Sequence, residues 1–187
     1  MNLKNKKLSL LIAGLGIAVF GLLPLCSYQV RTTEVAIVET FGKYRTVTEP
    51  GLKWKLPWPI QKVQKLDRSL QFLESKYEEN YLADGKNLVL TMFAVWKIDD
   101  PARFRESLGS RDAAQRILTD MIRTEKGVVL ARHPIDHLIS TNPQQRQFEQ
   151  IETEILDRVQ TKAADKYGIH IEAVGIEQML LPPKITK

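Results

Sequence analysis

Few residues of this sequence have the type and spacing that chemistry requires. His133 and His137 stand four apart, a spacing that places two imidazoles on one face of a helix, where they could bind a metal ion. Pro134 lies between them and blocks a regular helix, no glutamate follows the first histidine and no cysteine is near. We therefore expect a solvated helix end here and no metal site.

Motifs typical of catalysis or cofactor binding are also missing from the sequence. It contains no G-x-S-x-G nucleophile motif, no glycine-rich phosphate loop and no dinucleotide fingerprint. Its acidic residues stand beside basic ones at helical spacing, which is typical of solvated helix faces. The sequence thus predicts no catalytic residues, no cofactor and no enzymatic activity. Serine chemistry stays open as an alternative, since several serines are present without a recognisable partner.

The segment that must position everything else is Leu8 to Val30, which contains no charged residue. At about 1.5 Å per helical residue it reaches roughly 34 Å, enough to cross a bilayer core. The preceding Lys4, Lys6 and Lys7 predict a cytoplasmic N-terminus at 1–7 and an exported domain. Tyr28 falls where an interfacial aromatic residue is expected. We therefore predict a transmembrane anchor at 8–30.

Two other interpretations fit this segment less well. A cleaved signal peptide has an apolar core of about 7–15 residues and a small-residue cleavage site, and this segment is longer and has no such site. The stretch ending at Cys26 resembles a lipoprotein box, but Leu25 occupies the position where a small residue is needed. An uncleaved anchor with Cys26 as a small lipid-facing residue fits better.

The rest of the chain has the composition of an ordinary globular domain. The net charge is +5, but three of the 27 basic residues precede the anchor, leaving 24 against 22 acidic residues. Such a balance predicts no nucleic-acid binding. The length after the anchor suits one domain or two small subdomains. Cys26 is the single cysteine, so no disulfide can form within the domain.

The first part of this domain contains an unusual aromatic loop. Residues 35–41 predict a strand, Gly42-Lys43 a turn and residues 44–47 a returning strand. The run from Leu52 to Ile60 then holds Trp54 and Trp58 among lysines and two prolines. Prolines exclude a helix and a central strand there. Either the tryptophans enter the membrane interface, where indole rings and lysine stems suit the headgroup level, or they pack into the domain core.

The second part predicts strands and then helices. Short strands at 63–67, 70–76 and 78–82 precede a long strand at 88–98, both of whose faces are mainly apolar, so that it should be central and covered on both sides. Helices are predicted from Pro101 to about Leu108 and from near Asp112 to His133. The second helix should bury a stripe of apolar residues: Ala114, Ile117, Leu118, Met121, Ile122 and Val128.

The last predicted helix has the clearest signals. Asn142 should cap it, Pro143 open it, Gln145 supply a capping-box partner and Gly168 end it. Its apolar stripe comprises Phe148, Ile151, Ile155, Val159 and Ala163. A closing strand at 169–178 should place Ile169, Ile171, Ala173 and Gly175 on one face. Strands, then helices, then a strand indicate an α+β fold with helices packed on a mostly antiparallel sheet.

Taken in order, these pieces resemble the stomatin/prohibitin/flotillin/HflK–HflC (SPFH, or band 7) family. The matching pieces are the anchor leading into residues 35–43, the stretch 49–57 with its Pro-Gly-Leu, residues 63–67, the strand end at 95–101, and residues 167–169 with 181–183. Each piece is weak alone, but the ordered set is specific. Within the family the sequence is most similar to the HflC-like members.

The resemblance implies an N-terminal transmembrane helix followed by an SPFH domain at 31–183, in two subdomains with a boundary near 83–100. It further implies a scaffold, not an enzyme: a homo- or hetero-oligomer with an HflK-like paralogue that modulates an FtsH-type membrane protease. The implied location is the bacterial inner membrane, single-pass, with the main domain periplasmic. The family domain lies close to membrane lipids in the region matching Trp54 and Trp58. A stomatin- or flotillin-like lipid-domain organiser and an anchored hydrolase are the alternatives.

One feature departs from the family pattern. Members normally continue past the Pro-Pro pair with a long helix rich in Ala, Glu and Arg, whereas this sequence stops at Lys187. We interpret 184–187 as the truncated start of that helical region, in a fragment or in a member without the cage-forming helix. High-order assembly would depend on which of these is true.

Overall fold

The computed structural model describes residues 26–140, 142, 144 and 146–180. The chain divides between Asp67 and Arg68 into an N-terminal unit and a C-terminal unit. This boundary lies before the predicted region near 83–100, because strands that precede residue 83 are hydrogen-bonded to the long strand that follows it.

The N-terminal unit is built entirely from antiparallel strands in its described part. They are β1 (Ser27–Val30), β2 (Glu34–Thr40), β3 (Lys43–Val47), β4 (Gly51–Trp54) and β5 (Gln61–Asp67). β1 pairs with β4, and β2 lies between β3 and β5. The central strand β2 buries four consecutive residues, Val35 to Val38, as expected for a strand covered on both faces.

The strand β1 corrects the predicted end of the anchor. Ser27–Val30 are extended and hydrogen-bonded to β4, so they do not continue a helix. Residues 8–25 of the predicted anchor lie outside the described residues. Within the part of the chain that the structure describes, no helix is both long enough and apolar enough to cross a membrane.

The C-terminal unit is organised around its longest strands. They are β6 (Gln71–Glu74), β7 (Glu78–Tyr81), β8 (Asn87–Ile98) and β9 (Ile169–Leu180). β6 and β7 pair with successive halves of one edge of β8, and β9 pairs with the other edge, all antiparallel. The prediction of a central strand is confirmed. The prediction that both faces of this strand are covered is wrong. The even-numbered residues 88–98 are buried, whereas the opposite face includes half-buried residues, namely Val89, Phe93, Val95 and Lys97.

Four helices complete the described part of this unit. They are α1 (Pro101–Ser107), α2 (Arg111–Leu130), α3 (Asp136–Ile139) and α4 (Phe148–Tyr167). The predicted start of α1 is confirmed, since the Asp100 carboxylate accepts hydrogen bonds from the N–H groups of Ala102 and Arg103, both at 3.1 Å. α3 was not predicted.

The predicted start of α4 is wrong, and its predicted end is confirmed. The helix begins at Phe148, after Gln147, which makes no side-chain cap. Asn142 instead accepts a hydrogen bond from the Gln144 N–H at 3.0 Å, a local turn that competes with capping. Pro143 and Gln145 lie outside the described residues. Gly168 ends the helix in a left-handed conformation with φ of 63°.

The core face of α2 differs from the predicted stripe in its second half. Ala114, Leu118 and Ile122 are buried as predicted, but Val128 is exposed. The positions that continue the buried face are Glu125 and Lys126. Charged residues therefore occupy two core positions of this helix, where a search for apolar periodicity passes over them.

Both buried charges have partners on neighbouring elements. Lys126 is fully buried, and its Nζ lies 2.8 Å from Oε2 of Glu78 on β7. Glu125 accepts hydrogen bonds from Lys162 and from Arg158 on α4, the latter at 3.3 Å. These pairs join α2 to the sheet on one side and to α4 on the other, and they satisfy the charges that burial would otherwise make costly.

The closing strand β9 does not keep the simple alternation that was predicted for it. Its pairing with β8 shifts register between Val95 and Trp96, so Val174 is buried opposite Ala94, and Ala173 shares its face with Val95. Side chains of α4 hold the other edge of β9. The Ile171 N–H donates to Gln160 Oε1 at 2.5 Å, and the Ile176 N–H to Glu152 Oε1 at 2.7 Å.

Candidate functional site

In the N-terminal unit, the end of the apolar segment meets the tryptophan loop. In the β1–β4 ribbon, Ser27 lies opposite Trp54 and Tyr28 lies opposite Lys53. One step further along, the Lys55 N–H donates to the Cys26 carbonyl at 2.8 Å. Two stretches that are separate in sequence, the residues after the predicted anchor and the aromatic run, are therefore adjacent.

Gln61 connects this ribbon to the end of the three-stranded sheet. Its Oε1 accepts a hydrogen bond from the Leu56 N–H at 2.8 Å, and its Nε2 donates to Thr40 Oγ1 at 3.1 Å. Thr40 is the last residue of β2, and Gln61 is its partner at the start of β5. Cys26, Leu56 and the β2–β3 turn consequently lie at the same end of the unit.

The apolar side chains of the loop are exposed, whereas its two lysines are half-buried. Leu52, Trp54, Leu56 and Trp58 are all exposed, Trp54 by 66% and Trp58 by 79%. The intervening residues 53, 55 and 57 are half-buried. The alternative in which both indoles pack into the domain core is therefore wrong. On the surface of a soluble protein, lysines are normally exposed and large apolar side chains are covered. The pattern of this loop therefore needs an explanation other than packing within the chain.

Phe41 is a further member of this surface that sequence analysis did not identify. It forms the two-residue turn between β2 and β3 with Gly42, at φ of 47° and 79°, and is 84% exposed. Such turns favour Asn-Gly, because a left-handed conformation strains a bulky residue. A strained and exposed aromatic side chain gains nothing from folding. The sequence signal that could have identified Phe41 is a phenylalanine directly before the glycine of a tight hairpin turn.

We call Phe41, Leu52, Trp54, Leu56 and Trp58 the apolar end. Lysines accompany it, and one of them is neutralised locally. Lys53 Nζ lies 2.7 Å from Glu49 Oε2, and this hydrogen bond and the lysine charge hold the pKa of the Glu49 carboxyl below its usual range. Lys43 and Lys62 are exposed on β3 and β5. Aromatic side chains bordered by lysines match the chemistry of a membrane–water interface.

The other residues predicted to set the topology or to lie at the membrane interface are Tyr28, which the structure describes, and three lysines, which it does not. Tyr28 lies half-buried in β1, beside the apolar end. Lys4, Lys6 and Lys7 lie outside the described residues. The interface role of Tyr28, Trp54 and Trp58 stays a prediction, because the geometry places them together without testing what they contact.

In the C-terminal unit, the two spaced histidines approach each other closely. Their Nδ1 atoms are 3.0 Å apart, although Pro134 interrupts the regular helix that would place two residues four apart on one face. Pro134 begins a new turn in which the His137 N–H donates to the Pro134 carbonyl at 3.1 Å. Among the described residues, no group of three or more His, Cys, Asp or Glu side chains could hold a metal ion.

Comparison with known proteins identifies the fold. Residues 28–187 match the SPFH domain / Band 7 family. The chain belongs to this family. The match begins within β1 and extends over residues of both units, so the apolar end is part of the SPFH domain. The α+β fold with antiparallel sheets fits this family.

Relatives of the chain in the SPFH family are HflC proteins. Protein HflC of Buchnera aphidicola (subspecies Acyrthosiphon pisum) is 24% identical over 85% of this chain and 56% of its own length. The Modulator of FtsH protease HflC of Escherichia coli K12 is 28% identical over 59% of this chain and 37% of its own. Protein HflC of Haemophilus influenzae is 27% identical over 75% and 47%. The chain thus spans about half or less of the relatives it matches, and it is an HflC-like SPFH protein.

Proposed function

We propose that this chain is a membrane-anchored scaffold that assembles with an HflK-like paralogue and modulates an FtsH-type protease. The Escherichia coli relative, named as a modulator of FtsH protease, supports the protease part of this proposal. The role is that of a modulator and not of an enzyme. Homo- or hetero-oligomers at the bacterial inner membrane are part of the proposal, with the SPFH domain on the periplasmic side.

The apolar end carries the membrane part of the proposal. Its exposed aromatic residues lie where the Cys26 carbonyl is hydrogen-bonded to Lys55, directly after the apolar segment. An anchor ending before Ser27 still provides about 19 residues, or roughly 28 Å of helix, which matches a bilayer core. If residues 8–26 span the membrane, their outer end brings Trp54, Trp58 and Phe41 to the headgroup level.

Brominated lipids test this arrangement directly. The full chain in vesicles whose acyl chains carry bromine should show quenched tryptophan fluorescence, because Trp54 and Trp58 are exposed whereas Trp96, the third tryptophan, is fully buried. Replacing Trp54 and Trp58 by phenylalanine should leave only the unquenched Trp96 signal. Equal emission in brominated and ordinary lipid would refute insertion of the apolar end.

Affinity purification tests the protease part. The tagged chain, extracted from native membranes in mild detergent, should bring down an FtsH-type protease and an HflK-like paralogue. A strain lacking the gene should degrade membrane proteins at an altered rate. Recovery of a lone monomer together with unchanged membrane proteolysis would contradict the proposal.

A lipid-domain organiser of the stomatin or flotillin kind is the second candidate, and the size of the apolar end favours it. In that case membrane lipid composition, and not the abundance of the protease, controls clustering of the chain. Varying each separately while counting fluorescent clusters distinguishes the two functions. Clusters that follow the protease level support the modulator.

A further inference from the structure

We infer that His133 and His137 form a two-imidazole binding site for a divalent late transition-metal ion, with Cu²⁺ preferred. The site belongs to the C-terminal unit and is independent of the apolar end and of the proposed protease partner. It is made by the turn after α2 and by α3, which contains His137, and the Pro-interrupted four-residue spacing brings the rings to a centroid distance of 5.3 Å.

The separation of the two ring nitrogens fits chelation. Metal–imidazole bonds are about 2.0–2.1 Å long, so two donors at right angles on one ion lie about 2.9 Å apart, and at the tetrahedral angle about 3.3 Å. The observed Nδ1–Nδ1 distance is 3.0 Å. This value is compatible with two donors on one ion, and the preference for Cu²⁺ rests on the general affinity order of the divalent metals.

The backbone holds both histidines in this arrangement without the metal. The His133 carbonyl accepts a hydrogen bond from the Ala83 N–H at 3.1 Å, which fixes the turn to the β7–β8 connection. The His137 carbonyl accepts from the Gln147 N–H at 2.8 Å, just before α4. Two donors on a preorganised turn lose little freedom when an ion binds.

A carboxylate is placed where metal-binding histidines usually have one. Oε2 of Glu154 on α4 lies 3.8 Å from His133 Nε2, the nitrogen that faces away from His137. At 3.8 Å the contact is between charges and is not a hydrogen bond, but the negative charge favours the tautomer with the proton on Nε2, which frees Nδ1 to bind an ion. Arg132 and Arg158 also contact Glu154, at 3.5 and 3.2 Å, and hold its carboxylate in place.

In the absence of an ion, the same pair is a hydrogen bond with one shared proton. One Nδ1 carries the proton and the other accepts it, and the tautomers of the two rings set which is which. Binding an ion moves the shared proton to the Nε2 of His137, and the two rings turn so that both Nδ1 lone pairs point at the ion, about 2.0–2.1 Å from each. Water or other small ligands complete the coordination, which predicts reversible binding of moderate affinity and the order Cu²⁺ above Ni²⁺ and Zn²⁺.

Calorimetric titration of the full chain in detergent with Cu²⁺, Ni²⁺ and Zn²⁺ tests the site. His133→Ala and His137→Ala should each weaken Cu²⁺ binding at least tenfold. His170→Ala is the matched control, since His170 is the remaining histidine and lies on β9 beside Gln160 and Glu172. It should change the affinity by less than twofold.

Electron paramagnetic resonance of the Cu²⁺-loaded natural chain requires no variant. A tetragonal spectrum with two directly bound imidazole nitrogens is expected, and one nitrogen should be lost in His137→Ala. Three results would overturn the inference: a spectrum without imidazole nitrogen, no uptake of Cu²⁺, or equal affinity in the double variant, which would mean adventitious binding only.

Discussion

The two units of this SPFH protein carry departures of different kinds from the usual distribution of polarity, although the C-terminal unit also exposes Phe72, Tyr77 and Tyr81. The N-terminal unit exposes Phe41, Trp54 and Trp58, whereas the C-terminal unit buries Glu125 and Lys126. The buried charges have partners on neighbouring elements, so the fold itself explains them. The exposed aromatic residues have no such internal explanation. The comparison teaches that the buried charges are compensated within the chain, whereas the proposed function assigns the cover of the exposed aromatic residues to the membrane.

The largest expected effect comes from breaking a buried pair. Glu78→Ala leaves the fully buried Lys126 ammonium without its 2.8 Å partner and should lower the free energy of unfolding by about 3–5 kcal/mol. Chemical denaturation of the detergent-solubilised chain measures it. Adding Lys126→Met to the variant removes the orphaned charge and should restore much of the loss. A loss below about 1 kcal/mol would show that Lys126 reaches water, against the burial described here.

Two left-handed glycines, one in each unit, provide a matched pair. A Cβ on Gly168 would lie 2.6 Å from the Asp100 carbonyl oxygen, whereas one on Gly42 would meet nothing within 4 Å. Gly168→Ala should cost about 3 kcal/mol from strain and overlap, and Gly42→Ala about 1 kcal/mol from strain alone. Thermal unfolding of the two variants checks the difference. Equal losses would mean that the Gly168 contact relaxes freely.

Acid pH tests the second buried charge. Hydrogen bonding to Lys162 and Arg158 lowers the pKa of Glu125, with the Lys162 contact the stronger cause. Because the folded-state pKa is depressed, the stabilisation is present above the unfolded value and is lost as pH falls through the folded one. Glu125→Gln should therefore flatten the fall in stability below about pH 4.5, by at most about 1.4 kcal/mol per pH unit. An unchanged slope would exclude Glu125 as a contributor.

The smallest effects on stability are expected at the apolar end. Trp58→Ser should change the free energy of unfolding by less than about 0.5 kcal/mol, since the ring is 79% exposed, yet it should reduce quenching by brominated lipid.

Phe41→Asn should have effects of opposite sign. Asparagine tolerates the left-handed turn, so stability should rise by about 0.5–1 kcal/mol while the membrane contact weakens. Flotation of vesicles carrying the unanchored domain, compared with Tyr81→Asn on the exposed face of β7, measures the contact. Equal effects of both variants would remove Phe41 from the apolar end.

Sequence patterns predicted the order of strands and helices well because each element carries its own signal. Asp100-Pro101 begins α1 and Gly168 ends α4 as predicted, since caps and glycine conformations depend on neighbouring residues alone. The start of α4 was predicted wrongly because the Asn142 side chain accepts a hydrogen bond from the nearby Gln144 N–H and does not cap the helix.

Features that depend on distant contacts could not be predicted. The burial of Glu125 and Lys126 requires partners on β7 and α4, and periodicity suggested Val128 in their place. The approach of His133 to His137 follows from a turn whose carbonyls are held by Ala83 and Gln147. For the candidate site, the sequence identified Trp54 and Trp58, but Phe41 joins them only through the pairing of β2 with β5.

The side chains of Glu152 and Gln160 have a consequence for self-association. An open strand edge offers free N–H groups to which another chain can add as a new strand, a common route to aggregation. On β9 the Ile176 and Ile171 N–H groups are already occupied by these two side chains. An added strand would have to displace both before it could pair. If copies assemble on one membrane as proposed, these two side chains oppose the joining of sheets through this edge, and contact between copies is left to side chains.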